Sequence, residues 1–153
     1  MNIIVGDLLS NVNRGNILHG CNAKGVMGGG IALQIKNRYP KAYEVYREIY
    51  EKDGLKLGQV IPVEVDDGLI IWNMITQDDF GTSRRHTDYS AIEMCFKKFH
   101  GAYNGDHIHF PLIGCGLGGG QWCVVKKIID ETLKGSNSTL WVLTQEDKIR
   151  YNV

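Results

Sequence analysis

Two stretches of the chain carry the residue types that handle phosphate. Gly25-Val26-Met27-Gly28-Gly29-Gly30 and Gly114-Cys115-Gly116-Leu117-Gly118-Gly119-Gly120 each follow a strand-like run and precede a helical one. Residues without a Cβ let backbone N–H groups approach an anion, and the positive end of the following helix adds to the attraction. The glycines exceed what a chain reversal needs. In an open α/β sheet both loops lie at the carboxyl ends of strands and face one crevice, so the pattern predicts two loops gripping one diphosphate. Gly114, Gly116 and Gly119 also fit G-x-G-x-x-G, with Glu146 or Asp147 as a ribose-binding acid, but the fingerprint falls late in the chain, against the usual order. Neither loop ends in Gly-Lys-Ser/Thr, which excludes P-loop kinases and NTPases.

Other chemistries find less support. His19, His86, His100, His107 and His109 show no metal-ligand spacing, although His107 and His109 share a strand face, so no metal is expected. Cys21, Cys95, Cys115 and Cys123 form no C-x-x-C pair and read as reduced thiols of a cytoplasmic protein. Cys21 and Cys115 adjoin the loops, but no base stands at a fixed spacing from either, and cysteine chemistry is rejected. Among 153 residues, 17 Lys and Arg balance 17 Asp and Glu, which argues against duplex nucleic acid as a direct partner. No apolar run approaches the roughly 18 residues of a membrane span, and Asn2 to Val5 does not resemble a secretory signal.

The elements that must position these loops are legible from hydrophobic period. Asn2 to Val5 and Ile17 to Asn22 read as strands, and Gly30 to Tyr39 as a helix halted at Pro40. Ala42, Val45, Tyr46, Ile49 and Tyr50 mark a second helix closed by Asp53-Gly54, with its tyrosines in the core. Gln59 to Val65 and Leu69 to Ile75 read as a hairpin around Asp66-Asp67-Gly68, and Thr76 to Arg85 as a loop. Tyr89, Ile92, Met94, Cys95, Phe96 and Phe99 mark a third helix, followed by a strand over Ile108 to Ile113. Trp122, Val125, Ile128, Ile129 and Leu133 form the last helix, before a strand over Leu140 to Leu143. The alternation predicts a single domain over 1–153, with helices on both faces of a mixed, largely parallel sheet.

The run Ile17-Leu18-His19-Gly20-Cys21-Asn22-Ala23-Lys24-Gly25-Val26-Met27-Gly28-Gly29-Gly30-Ile31-Ala32 resembles the macrodomain family. That resemblance implies a three-layer α/β/α fold and an ADP-ribose ligand. Asn22 and Gly28, Gly29, Gly30 and Ile31 would line the distal ribose. Gly6-Asp7-Leu8 is similar to the family's Gly-Asp-Ile/Leu, whose acid holds the adenine amino group, and Leu143 falls near the adenine. Pro111-Leu112-Ile113-Gly114-Cys115-Gly116-Leu117-Gly118 is similar to its second phosphate loop. Within the family, His19, the run from Gly28 to Tyr39-Pro40-Lys41-Ala42, and Ile75-Thr76 to Phe80-Gly81 look most like the yeast-type ADP-ribose 1''-phosphate phosphatases. The related terminal ADP-ribose protein glycohydrolases use a lysine after the middle strand and an aspartate in the second loop. Here Gln77 or Asp78 stands near the first place and Gly118 at the second, which argues against that mechanism. Met27 departs from the residue that phosphatase-type macrodomains often carry before the triple glycine.

The reading that follows is hydrolysis of the terminal phosphate of ADP-ribose 1''-phosphate, with no cofactor. Its alternatives are a hydrolase for ester-linked ADP-ribose and a non-catalytic reader, with ADP-ribosylated proteins as partners in either case. The resemblance gives His19 a catalytic place, and an imidazole titrating near neutrality suits proton transfer; its other reading is a hydrogen-bonded residue at a strand end. Asn22 would orient ribose hydroxyls or the attacking water. Asp78, Asp79, His86 and Asp88 supply candidate carboxylates or a second base, or else are solvated surface. Trp122 either covers the ligand or begins a buried helix face, and Arg84 and Arg85 either steer a phosphorylated ligand or are a solvated pair.

Overall fold

A computed structural model describes residues 1–81 and 83–153; Thr82, inside the expected loop over Thr76 to Arg85, lies outside the described residues. Gly15–Asn22 (β2) is buried along almost its whole length, as a strand must be when helices cover both faces of its sheet. It runs parallel to Leu69–Gln77 (β4) on one side and to Ile108–Phe110 (β5) on the other. Ser138–Val142 (β6) extends the sheet beyond β5, and Asn2–Val5 (β1) forms one edge, all parallel. Val60–Asp66 (β3) returns antiparallel on β4 at the other edge. The strand order is β1-β6-β5-β2-β4-β3, a mixed and largely parallel sheet.

Strand alternation divides the core into two layers. Leu18, Trp72, Met74, Phe110 and Leu140 face Tyr89–Ala102 (α4) and Trp122–Thr132 (α5). Ile17, Ile71, Ile61 and Ile75 face Leu8–Asn11 (α1), Gly30–Arg38 (α2) and Pro40–Asp53 (α3). A final short helix, Gln145–Arg150 (α6), starts at Thr144, whose hydroxyl accepts the Asp147 N–H. None of the helices is long and apolar enough to cross a membrane among the described residues.

Several boundaries differ from expectation for identifiable reasons. Strand β5 stops at Phe110 because Pro111 has no N–H to donate to a ladder. Strand β4 runs on through Thr76 to Gln77, which the polar composition of that stretch concealed. Helices α1 and α6, of four and six residues, are too short to show a period. Of the α3 tyrosines only Tyr46 is fully buried, and Met94 of α4 turns out to solvent.

Candidate functional site

A cleft of about 710 Å³ opens at the carboxyl ends of the parallel strands, the place where open α/β sheets bind ligands. Its walls are the two glycine loops. The first loop is built around Asn22, at the end of β2. The Asn22 Oδ1 accepts the N–H groups of Lys24 (3.0 Å) and Val26 (3.4 Å) and the Tyr46 hydroxyl (3.0 Å), while Nδ2 donates to Val26 O at 2.7 Å. Tyr46 Oη also donates to Asn22 O at 2.6 Å, tying the loop to α3. Gly25 adopts φ +74°, and a Cβ there would meet the Tyr50 ring at 2.5 Å, so only glycine fits. Met27 plugs the core beneath the loop beside Cys21 and Tyr46, which accounts for an apolar residue before the triple glycine.

The second loop is clasped from outside. The N–H groups of His86 and Thr87 both donate to Gly118 O, at 3.0 and 3.1 Å, and Thr87 Oγ1 donates to Gly114 O at 2.7 Å. Within the loop, Gly120 N donates to Gly114 O at 2.7 Å. A Cβ at Gly118 would collide with Thr87 Oγ1, so an aspartate cannot stand there without displacing the clasp. Among the described residues, the N–H groups of Gly28, Gly29, Gly116, Leu117 and Gly118 enter no backbone hydrogen bond of the loops and remain for a ligand. Gly29 and Leu117 face each other across the cleft, as two loops sharing one crevice must.

Asp7, Leu8, Asn22, Gly28, Gly29, Gly30, Ile31, Ile113, Gly114, Gly116, Leu117, Gly118 and Leu143 all line the cleft. Asp7 accepts the Ser10 hydroxyl on one carboxylate oxygen, leaving the other available.

Two expected residues lie elsewhere. His19 is a correction: it is fully buried in β2 on the α3 side of the sheet and does not line the cleft. Its Nε2 donates to Asn73 Oδ1 at 2.6 Å, and Asn73 Nδ2 donates to Ala42 O at 3.2 Å. Burial lowers its pKa to about 4, only partly offset by the Asn73 bond, so the ring is neutral and dry. Cys21 Sγ stands 3.6 Å from His19 Nε2, a cysteine–histidine–asparagine cluster, yet burial pushes the thiol up and leaves it unreactive. Cys115 is the second correction: its side chain turns into the core toward Ile113 O, and its thiol is pushed up to about 12 by burial. Trp122 belongs to the core as well.

The structure adds walls that the sequence did not single out. Gly20, Trp141 and Tyr151 line the cleft, and Phe80 stands exposed at its rim. Trp141 Nε1 donates to His109 Nδ1 at 3.0 Å; burial and neighbouring His107 lower the His109 pKa to about 4, keeping that nitrogen an acceptor. Trp141 lies two residues before Leu143, which follows the end of β6, and that closeness was the available signal. Beyond β4, Asp78 receives Arg84 at 2.7 Å and His86 Nδ1 at 3.2 Å, and Arg84 and then His86 hold its carboxyl down at about 2. Asp79 binds the Phe80 N–H, and Asp88 caps α4 through the Ala91 N–H.

The Macro domain family model matches residues 18–129. The ADP-ribose 1''-phosphate phosphatase of Candida glabrata is 28% identical over 159 residues, covering 83% of this chain and 89% of that protein. Among solved structures, a protein of unknown function from Bacteroides thetaiotaomicron is 31% identical, with TM-score 0.84 over 93% of this chain and 97% of that one. The macrodomain of Thermus aquaticus DarG is 25% identical, with TM-score 0.77 over 94% and 97%. With its fold, its paired glycine loops and the greater part of its length matched, the chain belongs to the Macro domain family.

Proposed function

We propose that the cleft binds ADP-ribose derivatives and that the protein hydrolyses the terminal phosphate of ADP-ribose 1''-phosphate. The observation that carries the binding reading is the opposition of Gly29 and Leu117, which sets two rows of uncommitted N–H groups across one cleft. The similarity to phosphatases of that name supports the reaction. In this reading the free Asp7 oxygen accepts the adenine amino group and the loops hold the diphosphate. The second Nδ2 hydrogen of Asn22 orients the distal ribose or the attacking water. Backbone donors aimed at phosphoryl oxygens would stabilise charge developing there.

Incubation with ADP-ribose 1''-phosphate tests the reading through release of inorganic phosphate; no release above the uncatalysed rate overturns it. A non-catalytic reader is the second reading, favoured by one observation. The titratable side chain of the cleft that adjoins Asn22 is Cys21, and burial pushes its thiol up and leaves it unreactive. Hydrolysis of ester-linked ADP-ribose is separated from both by release of ADP-ribose from a modified protein.

A further inference from the structure

Strand alternation sends Ile108 and Phe110 of β5, and Leu140 and Val142 of β6, into the core against α4 and α5. The residues between them, His109, Thr139 and Trp141, therefore share the opposite face of the sheet, on the side of α1. His109 pairs with Thr139 in the ladder, so Trp141 is its diagonal neighbour, a spacing that an indole and an imidazole can bridge. They meet at 3.0 Å, Trp141 Nε1 donating to His109 Nδ1.

We propose that His109 is a positioning residue: acting through Trp141, it holds the purine of the ligand in register with Asp7. This role rests on the ADP-ribose-binding reading above and gives selection of the base a determinant that does not itself line the cleft.

The acceptor is held firmly. An indole N–H only donates, so Nδ1 of His109 carries the lone pair and Nε2 the proton. Burial and neighbouring His107, which keep the pKa low, leave that lone pair free of a proton. The His107 ring packs against the His109 ring with centroids 4.6 Å apart, and its Nε2 lies 2.6 Å from the Thr139 hydroxyl, so the acceptor is itself braced. The far edge of the indole meets Gly6: a Cβ there would stand 3.5 Å from Trp141 Cζ3 and 3.8 Å from Cε3. The outer torsion of a tryptophan leaves the ring two broad settings, and the bond to His109 selects the one that lays the six-membered ring beside Gly6. Gly6 directly precedes Asp7, and Asp7 and Trp141 both line the cleft. A base resting on a fixed ring meets the Asp7 carboxylate in one geometry, and hydrogen bonds weaken steeply with misalignment.

The test compares His109→Leu with His109→Asn, side chains of similar size of which only asparagine keeps an acceptor near the place of Nδ1. Calorimetry with ADP-ribose and its inosine analogue reads affinity and base selectivity together. His109→Leu is expected to weaken ADP-ribose roughly three- to tenfold, the range for one neutral hydrogen bond, and to shrink the preference over the inosine analogue. His109→Asn should restore most of both. In a Trp141→Phe background, which has no indole N–H, the two His109 variants should bind alike. Equal affinities of the two variants beside an intact Trp141, or a difference that persists in Trp141→Phe, overturn the role. Affinity lost with selectivity intact also overturns it, by reducing His109 to support of the fold. Wild type that binds no ADP-ribose overturns the binding reading and this role with it, whereas wild type that binds while the variants fail to differ overturns the role alone.

Discussion

Leu117 lies directly over Gly29: a Cβ on Gly29 would stand 2.9 Å from Leu117 Cδ1. The bare backbone of Gly29 thus faces the tip of an exposed leucine that is free to turn aside. Gly29→Val should displace the Leu117 side chain and set its own methyls over the neighbouring N–H groups, and calorimetry should register a loss of ADP-ribose binding. Gly116 has open space around its missing Cβ, so Gly116→Ala should keep the fold and bind within a few-fold of wild type; equal affinity in both variants would disconnect the loops from the ligand.

His19 should behave as a structural residue. His19→Ala leaves Asn73 Oδ1 unpaired in the core, a cost of about 1–3 kcal/mol in denaturant unfolding. The rate per folded molecule should stay at the parental value, since the ring does not reach the cleft. A fall of roughly 10² or more in kcat with unchanged stability would restore it to catalysis.

Acid sensitivity follows from the same ring. Its folded pKa of about 4 lies below the 6.5 of an exposed imidazole, so the unfolded chain takes up the proton first. Stability should be insensitive to this group above pH 6.5, decline as pH falls from there, and level off below about 4. Between pH 7 and pH 5 the loss should be on the order of 2 kcal/mol, read from urea midpoints, and His109 adds in the same direction. A His19→Ala protein with the full parental decline would contradict this assignment.

Asp7→Ala should weaken ADP-ribose by roughly 10- to 150-fold, the range for one charge-assisted hydrogen bond, without altering thermal stability. Wild type should prefer ADP-ribose to its inosine analogue, and the variant should not. Retained discrimination would reduce Asp7 to the Ser10 partner at the start of α1.

What the sequence disclosed, and what it withheld, follow from the range of the interactions. Glycines announce backbone approach wherever they stand, so both loops and most of the cleft lining were legible. His19 was misplaced although a period of two was available: it shares a strand face with Ile17 and Cys21, the α3 side. Its catalytic place came from the resemblance, and a match of residue types along a strand does not distinguish the strand's two faces. The tie between Asn22 and α3 was hidden because its partner there, Tyr46, comes from a helix 24 residues away. The clasp on Gly118 was hidden likewise, since it joins backbone atoms of segments that carry no shared motif.

The placement of Trp141 has an optical consequence. The chain has three tryptophans, and Trp72 and Trp122 are packed in the core between the sheet and α4 and α5. Trp141 alone forms part of the cleft wall, with its indole N–H held by His109. An adenine ring seated against that wall would alter the emission of a single fluorophore, and occupancy would be readable in unlabelled protein at micromolar concentration.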